Sequence, residues 1–414
     1  LSHLFPEETF FRNLASRNLE CLLQIDYSSC GELWQLHIAS SSKFQIFSVK
    51  DNLRGRQTPT MNFTIGNKQS SLVGVDISST SVKLLELSRT KSGYRIESYA
   101  VEPLPANAVN EKSLQDVEAV GEAVKRALKR SGSKRKFAAV AVPSAMVITK
   151  VIQMPDSLKP SELEAQIQLE ADQYIPYSLD EVNLDHQIIG PCEHQPGAND
   201  ILLVASRSEN VEERTAACEI GGLSAKVVDI EPYTIEHTCK LLQEQNNVDW
   251  QGKTIAVLDM GATMTSLCVF RNNALVYTRE QPFGGKQLTE EIMRRFGLSY
   301  EDAGRVKRVG GLPDNYEPEI LMPFKDQMVQ QANRFLQFFF SADNNDYVDQ
   351  ILLAGGCAGI PGIAEMIEDH IGTPTSIANP FENIETASGV AQQRLLSDGP
   401  AMLIACGLAT RGFD

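Results

Sequence analysis

Two stretches of this chain repeat one plan, and the repetition limits the folds open to it. Residues 72–87 and 255–270 each read as a short apolar strand, an aspartate, a turn of small residues and a second apolar strand. Asp76 aligns with Asp259 and Thr80 with Thr263. Small turn residues let backbone N–H groups approach an anion, and hydroxyls add donors. An aspartate at a strand end can hold a hydrated divalent cation that offsets phosphate charge. One such turn alone is an ordinary hairpin. Two copies on facing domains would clamp a nucleotide's phosphates from both sides.

A third element follows at residues 350–362, a buried strand running into Gly355-Gly356 and then a helix over 363–371. Glycines there admit a flat ring or a phosphate close to the backbone, near helix N-terminal N–H groups. Taken singly it is a common strand-to-helix turn. Neither GxxxxGK[ST] nor GxGxxG occurs in the chain, which argues against a P-loop ATPase and a conventional dinucleotide dehydrogenase.

Composition narrows the class. The net charge of -15 argues against a nucleic-acid binder. No apolar run approaches the roughly 18–20 residues of a membrane helix, and no secretory leader is expected, since no charged-then-apolar pattern is read near residue 1. The eight cysteines form no CxxC pair, which suggests a reducing compartment. His186, His194, His237 and His370 show no metal spacing, and no nucleophile–base arrangement emerges. Residues 1–60 carry inconsistent signals and read as a doubtful extension, with Met61 as the expected start of the native fold.

The residues that carry the plan resemble the actin/Hsp70/sugar-kinase superfamily. Within it the chain is similar to the PilM family of type IV pilus assembly. The specific stretches are Gly74-Val75-Asp76-Ile77-Ser78-Ser79-Thr80-Ser81-Val82-Lys83, Ala171-Asp172-Gln173-Tyr174-Ile175-Pro176-Tyr177 and Asp229-Ile230-Glu231-Pro232. The resemblance implies an α/β, two-lobed actin-like ATPase fold, its lobes duplicated ribonuclease-H-like units, with an inserted α+β subdomain in the first lobe. The expected order is a first lobe over 61–150, the insertion over 151–224, the first lobe resumed with the inter-lobe connection over 225–252, and a second lobe over 253–414.

ATP and magnesium are the implied cofactors. By resemblance Asp76 and Asp259 would hold magnesium through water, Ser78, Ser79 and Thr80 would line the first phosphate turn, and Lys83 would reach an inner phosphate. Gly261, Ala262 and Thr263 would form the second phosphate turn, and Gly355 and Gly356 the adenosine turn with Lys307 beside it. Glu231 stands where bacterial actins place the glutamate that orients the attacking water, so it is the catalytic candidate, with at most slow ATPase activity. Departures from the family pattern are Ser78 for glycine, Cys357 for a hydroxyl residue and Gly304 for a ribose-contacting glutamate.

In the insertion a helix is expected to begin near Ser161 with Glu164 closing a capping box. Leu163, Ile167, Ala171 and Tyr174 share one face, read as packing on the subdomain's own sheet rather than on a partner. Phe324, Met328, Ala332, Phe335 and Phe339 read as core of the second lobe.

The resemblance implies a scaffold at the cytoplasmic face of the inner membrane that binds the N-terminal cytoplasmic tail of a PilN-like protein. It leaves pilus motor ATPases and self-association as further contacts. With no membrane helix, basic patch or acylation motif found in the sequence, membrane contact is expected only through partners. Two alternatives stand beside it. One is a cell-division actin like FtsA, against which counts the lack of an amphipathic helix near residue 414. The other is a sugar or acetate kinase, which needs an acceptor-site base that no motif supplies.

Overall fold

Apolar side chains at Val73, Val75 and Ile77 face one core while Gly74 faces another, so the first Asp-bearing strand is buried on both sides. The computed structural model describes residues 72–413 apart from 92, 193 and 344–346; the extension expected over 1–60 lies outside the described residues.

The first lobe starts with β1 (Val73–Ile77), β2 (Ser81–Thr90) and β3 (Gly93–Pro103), an antiparallel meander. A hairpin of β4 (Val109–Asn110) and β5 (Ser113–Leu114) leads to α1 (Val117–Ser131) and β6 (Phe137–Val142). Asp116 caps α1 by accepting from the Ala119 N–H at 2.9 Å, and Gly132 ends it at φ 72°. The insertion comprises β7 (Val147–Pro155), α2 (Pro160–Ala171), β8 (Val182–Pro191) and β9 (Ala198–Arg207). Then α3 (Ser208–Ile220), β10 (Ser224–Ile230) and α4 (Glu231–Asn246) lead out of the lobe.

The second lobe repeats the plan. A meander of β11 (Thr254–Met260), β12 (Met264–Arg271) and β13 (Ala274–Pro282) precedes α5 (Gly285–Phe296), α6 (Tyr300–Val309) and α7 (Met322–Asp343). There follow β14 (Gln350–Ala354), α8 (Ile363–Ile371) and β15 (Thr375–Ile377). The sheet orders are β10-β6-β1-β2-β3-β16 and β13-β12-β11-β14-β15. In each, a three-stranded meander is extended by two parallel strands from the Asp-bearing one. The duplication seen in the sequence is therefore a duplication of sheets.

The closing elements return to the first sheet. β16 (Glu385–Thr386) pairs in parallel with β3, and after α9 (Gln392–Asp398) the buried helix α10 (Leu403–Thr410) lies against β1 and α4. The sequence reading ran the second lobe to residue 414, but apolar residues all round α10 need cover on every side. Two glycines permit the fit. A Cβ at Gly74 would lie 2.3 Å from the Ala405 carbonyl oxygen, and one at Gly407 would lie 1.8 Å from that of Thr234.

In the insertion, β9 is central between β7 and β8, both antiparallel to it. Leu163, Ile167 and Ala171 pack with Ile152, Met154, Ile201 and Leu203, so α2 covers its own sheet. Its start differs from expectation: Pro160, with φ already helical, opens the helix, and Glu162 rather than Glu164 accepts from the Lys159 N–H at 3.0 Å. Tyr174 lies beyond the helix, exposed, with Lys150 over its ring. The Phe324-to-Phe339 stripe is buried in the second lobe as expected.

Candidate functional site

The two Asp-bearing turns, from separate sheets, share one electrostatic cluster. In the β1–β2 register Asp76 faces Lys83, and the equivalent pair in β11–β12 is Asp259 and Ser266. Lys83 Nζ donates to Asp76 Oδ2 at 2.8 Å, both side chains nearly buried. Burial alone would lower the Lys83 pKa, but the Asp76 carboxylate, with smaller contributions from Asp259 and Glu231, holds it above the ordinary lysine value. Burial raises the Asp259 carboxyl, opposed by Lys83 and Lys112 and reinforced by the Asp76 charge.

The sequence-identified turn residues are not equivalent. Ser78 spends its hydroxyl within the turn, donating to the Ser81 carbonyl at 2.9 Å. Ser79 and Thr80 are half-buried beside it. On the opposite turn the Thr263 hydroxyl oxygen is buried with no hydrogen-bond partner among the described residues. A buried orphan donor is costly unless something outside the chain meets it.

Close backbone packing joins the remaining motifs. Gly355 has φ 84°, and a Cβ there would lie 2.4 Å from Asp259 Oδ1 and 2.3 Å from the Met260 carbonyl oxygen. Gly356 has open space around its Cβ position. Lys307 Nζ donates to the Gly285 carbonyl at 3.0 Å and to Thr289 Oγ1 at 2.6 Å, and burial lowers its pKa. Cys357, the departure from a hydroxyl residue, donates its thiol to the Gly261 carbonyl at 3.3 Å, and burial pushes the thiol pKa up to about 11. It is a packed thiol, not a reactive one.

Glu231, at the first position of α4, is not a free carboxylate. Lys112 Nζ lies 2.5 Å from Glu231 Oε2, 2.7 Å from Glu280 Oε1 and 3.3 Å from Ser266 Oγ. Burial raises the Glu231 pKa; Lys112 pulls it down, while Glu280 and Asp76 push it up. A cavity of about 10 Å³, room for about one water, is lined by Glu231, Asp259, Ser266 and Glu280.

Sequence reasoning missed Lys112 and Glu280. Lys112 stands on the β4–β5 turn, where Glu111 and Lys112 have φ 46° and 69°. Such turns usually carry Asn-Gly, so nothing in the local sequence aims this lysine at Glu231. The buried Arg214 pins the strained turn by donating to the Lys112 carbonyl at 2.8 Å. Gly284-Gly285, also missed, had a readable signal: paired glycines opening a helix. A Cβ at Gly284 would lie 2.5 Å from the Gly261 carbonyl, so the start of α5 abuts the turn at residues 261–263.

The donor set suits a hydrated magnesium ion with an anion. Two carboxylates, Asp76 and Asp259, face lysines and an orphan hydroxyl, and among the described residues no group of three or more potential metal ligands forms a closed cage. Magnesium keeps most of its waters and needs few protein ligands.

Comparison with known proteins gives concordant findings. Residues 74–413 match the family model described as type IV pilus assembly protein PilM. A solved chain of a "PilM-PilN type IV pilus biogenesis complex" superposes with TM-score 0.69 at 26% identity, covering 84% of this chain and 99% of that one. The cell division protein FtsA of Bacillus subtilis is 27% identical over 151 residues, 30% of this chain and 34% of its own. That of Agrobacterium fabrum is 24% identical over 179 residues, 37% of this chain and 39% of its own. The chain thus spans about a third of the length of the curated relatives it matches. The two-lobed reading and the superposition agree on an actin-like fold.

Proposed function

The chain belongs to the PilM family of type IV pilus assembly proteins, and from that premise we propose an ATP-binding scaffold that holds the tail of a membrane protein. The observation that carries the nucleotide half is the pair of Asp-bearing turns, Asp76 and Asp259, with Lys83 on the first and the orphan Thr263 hydroxyl on the second. Asp76 and Asp259 would hold magnesium through water. Lys83, Ser79, Thr80 and Thr263 would meet phosphate oxygens, while Gly355, Gly356 and Lys307 would border the adenosine. Bound magnesium-ATP would supply a phosphoanhydride and the divalent charge that offsets its phosphates. Glu231 would orient a water, but the Lys112 ammonium at 2.5 Å already engages its Oε2. The reading therefore carries slow turnover and a mainly structural use of the nucleotide.

The partner half draws on the PilM–PilN complex, a chain of which is similar to 84% of this one and is itself covered to 99%. By that likeness the occupant is the N-terminal cytoplasmic tail of a PilN-like protein, at the cytoplasmic face of the inner membrane. Pilus motor ATPases and self-association remain further proposals from the family resemblance alone. The insertion's sheet has its edges at β7 and β8, which suit an extended peptide. The FtsA reading is weaker, since those matches reach only about a third of the chain.

Two titrations test the halves separately. Calorimetry of magnesium-ATP into wild type, Asp76→Ala and Lys83→Ala is expected to show binding weakened at least tenfold in both variants. Equal affinity in all three sinks the cleft assignment. A labelled PilN-type tail peptide is expected to bind the wild type, and to bind a variant lacking residues 161–176 no longer. Undiminished affinity in a folded deletion variant removes the insertion from the peptide site.

A further inference from the structure

The sequence reading found no basic patch, and the net charge of -15 hides one that the fold assembles. Between residues 125 and 136 stand Lys125, Arg126, Lys129, Arg130, Lys134, Arg135 and Lys136, with no acidic residue among them. The C-terminal half of α1 exposes the first four. Lysines and arginines at a helix C-terminus complement its dipole, which accounts for Lys129 and Arg130 but not for the loop beyond. The sheet then adds a distant cation. β10 pairs with β6 so that Phe137 faces Ser224, and the register shifts at Lys226. Lys226 Nζ is thereby set 5.4 Å from the Phe137 ring centroid.

The three arginines and the lysines differ in their engagements. Arg126 and Arg130 both reach Glu102, and Arg135 donates to Glu86 at 2.6 Å. Lys125 pairs with Glu122. Lys129, Lys134 and Lys136 are exposed and meet no carboxylate among the described residues. Phe137, an exposed aromatic at 40% of its surface, stands beside them.

We propose that this face, α1's end with the 132–137 loop and Lys226, is a direct docking surface for anionic phospholipid headgroups. Free lysines with flexible apolar stems suit a fluid, delocalised layer of negative charge, and the exposed Phe137 ring, next in sequence to Lys136 and with Lys226 over it, suits the headgroup boundary. Nucleic acid is served better by free guanidinium forks, and here all three arginines are turned to glutamates. The remaining charge of the molecule is negative, so attraction is confined to about a Debye length, roughly 8 Å at physiological salt. Such a patch orients the chain on a surface rather than holding it from a distance. The inference is independent of the nucleotide and peptide readings. It adds a contact of the chain's own to the one expected through a partner.

The test is co-sedimentation of the full chain with vesicles of phosphatidylglycerol and phosphatidylcholine, beside vesicles of phosphatidylcholine alone. Retention is expected on the anionic vesicles only, and is expected to fall with added salt. The triple variant Lys129→Glu, Lys134→Glu, Lys136→Glu is expected to lose roughly 100-fold or more in vesicle affinity. Its circular dichroism should match the wild type, since all three side chains are exposed. Binding to anionic vesicles that is absent in the wild type, or undiminished in the triple variant, overturns the proposal. Tighter retention of a single-stranded RNA oligonucleotide than of vesicles at equal salt would reassign the face to nucleic acid and overturn it too.

Discussion

Lys112 holds Glu231 at 2.5 Å and, with the same ammonium, Glu280 at 2.7 Å. The lysine comes from the first lobe's hairpin, Glu231 opens the connecting helix α4, and Glu280 lies on β13 of the second lobe. One side chain therefore ties the first lobe's hairpin and the second lobe's sheet to the element between them. Burial and the two carboxylates act in opposite senses on it, and the carboxylates prevail, so its pKa stands above the ordinary lysine value and it stays protonated.

Lys112→Met would leave two buried carboxylates facing one another without a cation. Breaking a buried pair by removing one partner costs about 3–5 kcal/mol, so a loss near about 3 kcal/mol is expected in urea denaturation. Adding Glu280→Gln to that variant removes the repulsion and is expected to recover about 1 kcal/mol or more. A single variant within about 0.5 kcal/mol of wild type would show that the latch contributes nothing.

The adjacent glycines 355 and 356 should behave oppositely. Gly355→Ala drives a methyl into Asp259 Oδ1 and the Met260 carbonyl at φ 84°, where an L side chain is also strained. A loss of about 2–4 kcal/mol and of magnesium-ATP binding is expected. Gly356→Ala meets open space and should leave thermal stability nearly unchanged. Matching melting temperatures for the two variants would contradict the packing described.

Gly407→Ala tests how α10 is seated. Its Cβ would fall 1.8 Å from the Thr234 carbonyl, which helix α4 cannot withdraw without moving Glu231. Destabilisation of about 2 kcal/mol or more is expected. It should come with faster hydrogen exchange in both α4 and α10. Exchange confined to α10 would show that the two helices are not coupled.

The parts legible in the sequence are those built from local pattern. Asp76 and Asp259 could be found because each ends an apolar strand and precedes a small-residue turn, and the repetition of that pattern implied two like sheets. The stripe from Phe324 to Phe339 was legible for the same reason, helical period. Lys112 was not, because its role rests on pairing with residues 119 and 168 positions away and on a turn held by Arg214. The return of α10 to β1 was hidden as well. Gly74 and Gly407 look like ordinary small residues until the approaching backbones are known.

His237 supplies a pH prediction with a definite sign. Arg411 can only donate, so at 3.0 Å it gives a hydrogen bond to Nε2 of a neutral imidazole. Arg411 also pairs with the buried Asp229 at 2.9 Å, which fixes the guanidinium beside the ring. Burial, then the charges of Arg411 and Lys240, push the His237 pKa down to about 3. In the unfolded chain it returns to about 6.5. The unfolded state therefore binds more protons across that window, and stability falls as pH drops below about 6.5. Glu231 and Asp259, raised by burial, act in the opposite sense near the carboxylate range, so total stability alone cannot isolate the histidine. His237→Gln keeps an acceptor for Arg411 and removes the titration. Between pH 6.5 and 4.5 the wild type is expected to lose about 2 kcal/mol more than this variant in urea denaturation. Parallel stability curves for the two proteins would mean that the imidazole is protonated in the fold, and that Arg411 does not face it as described.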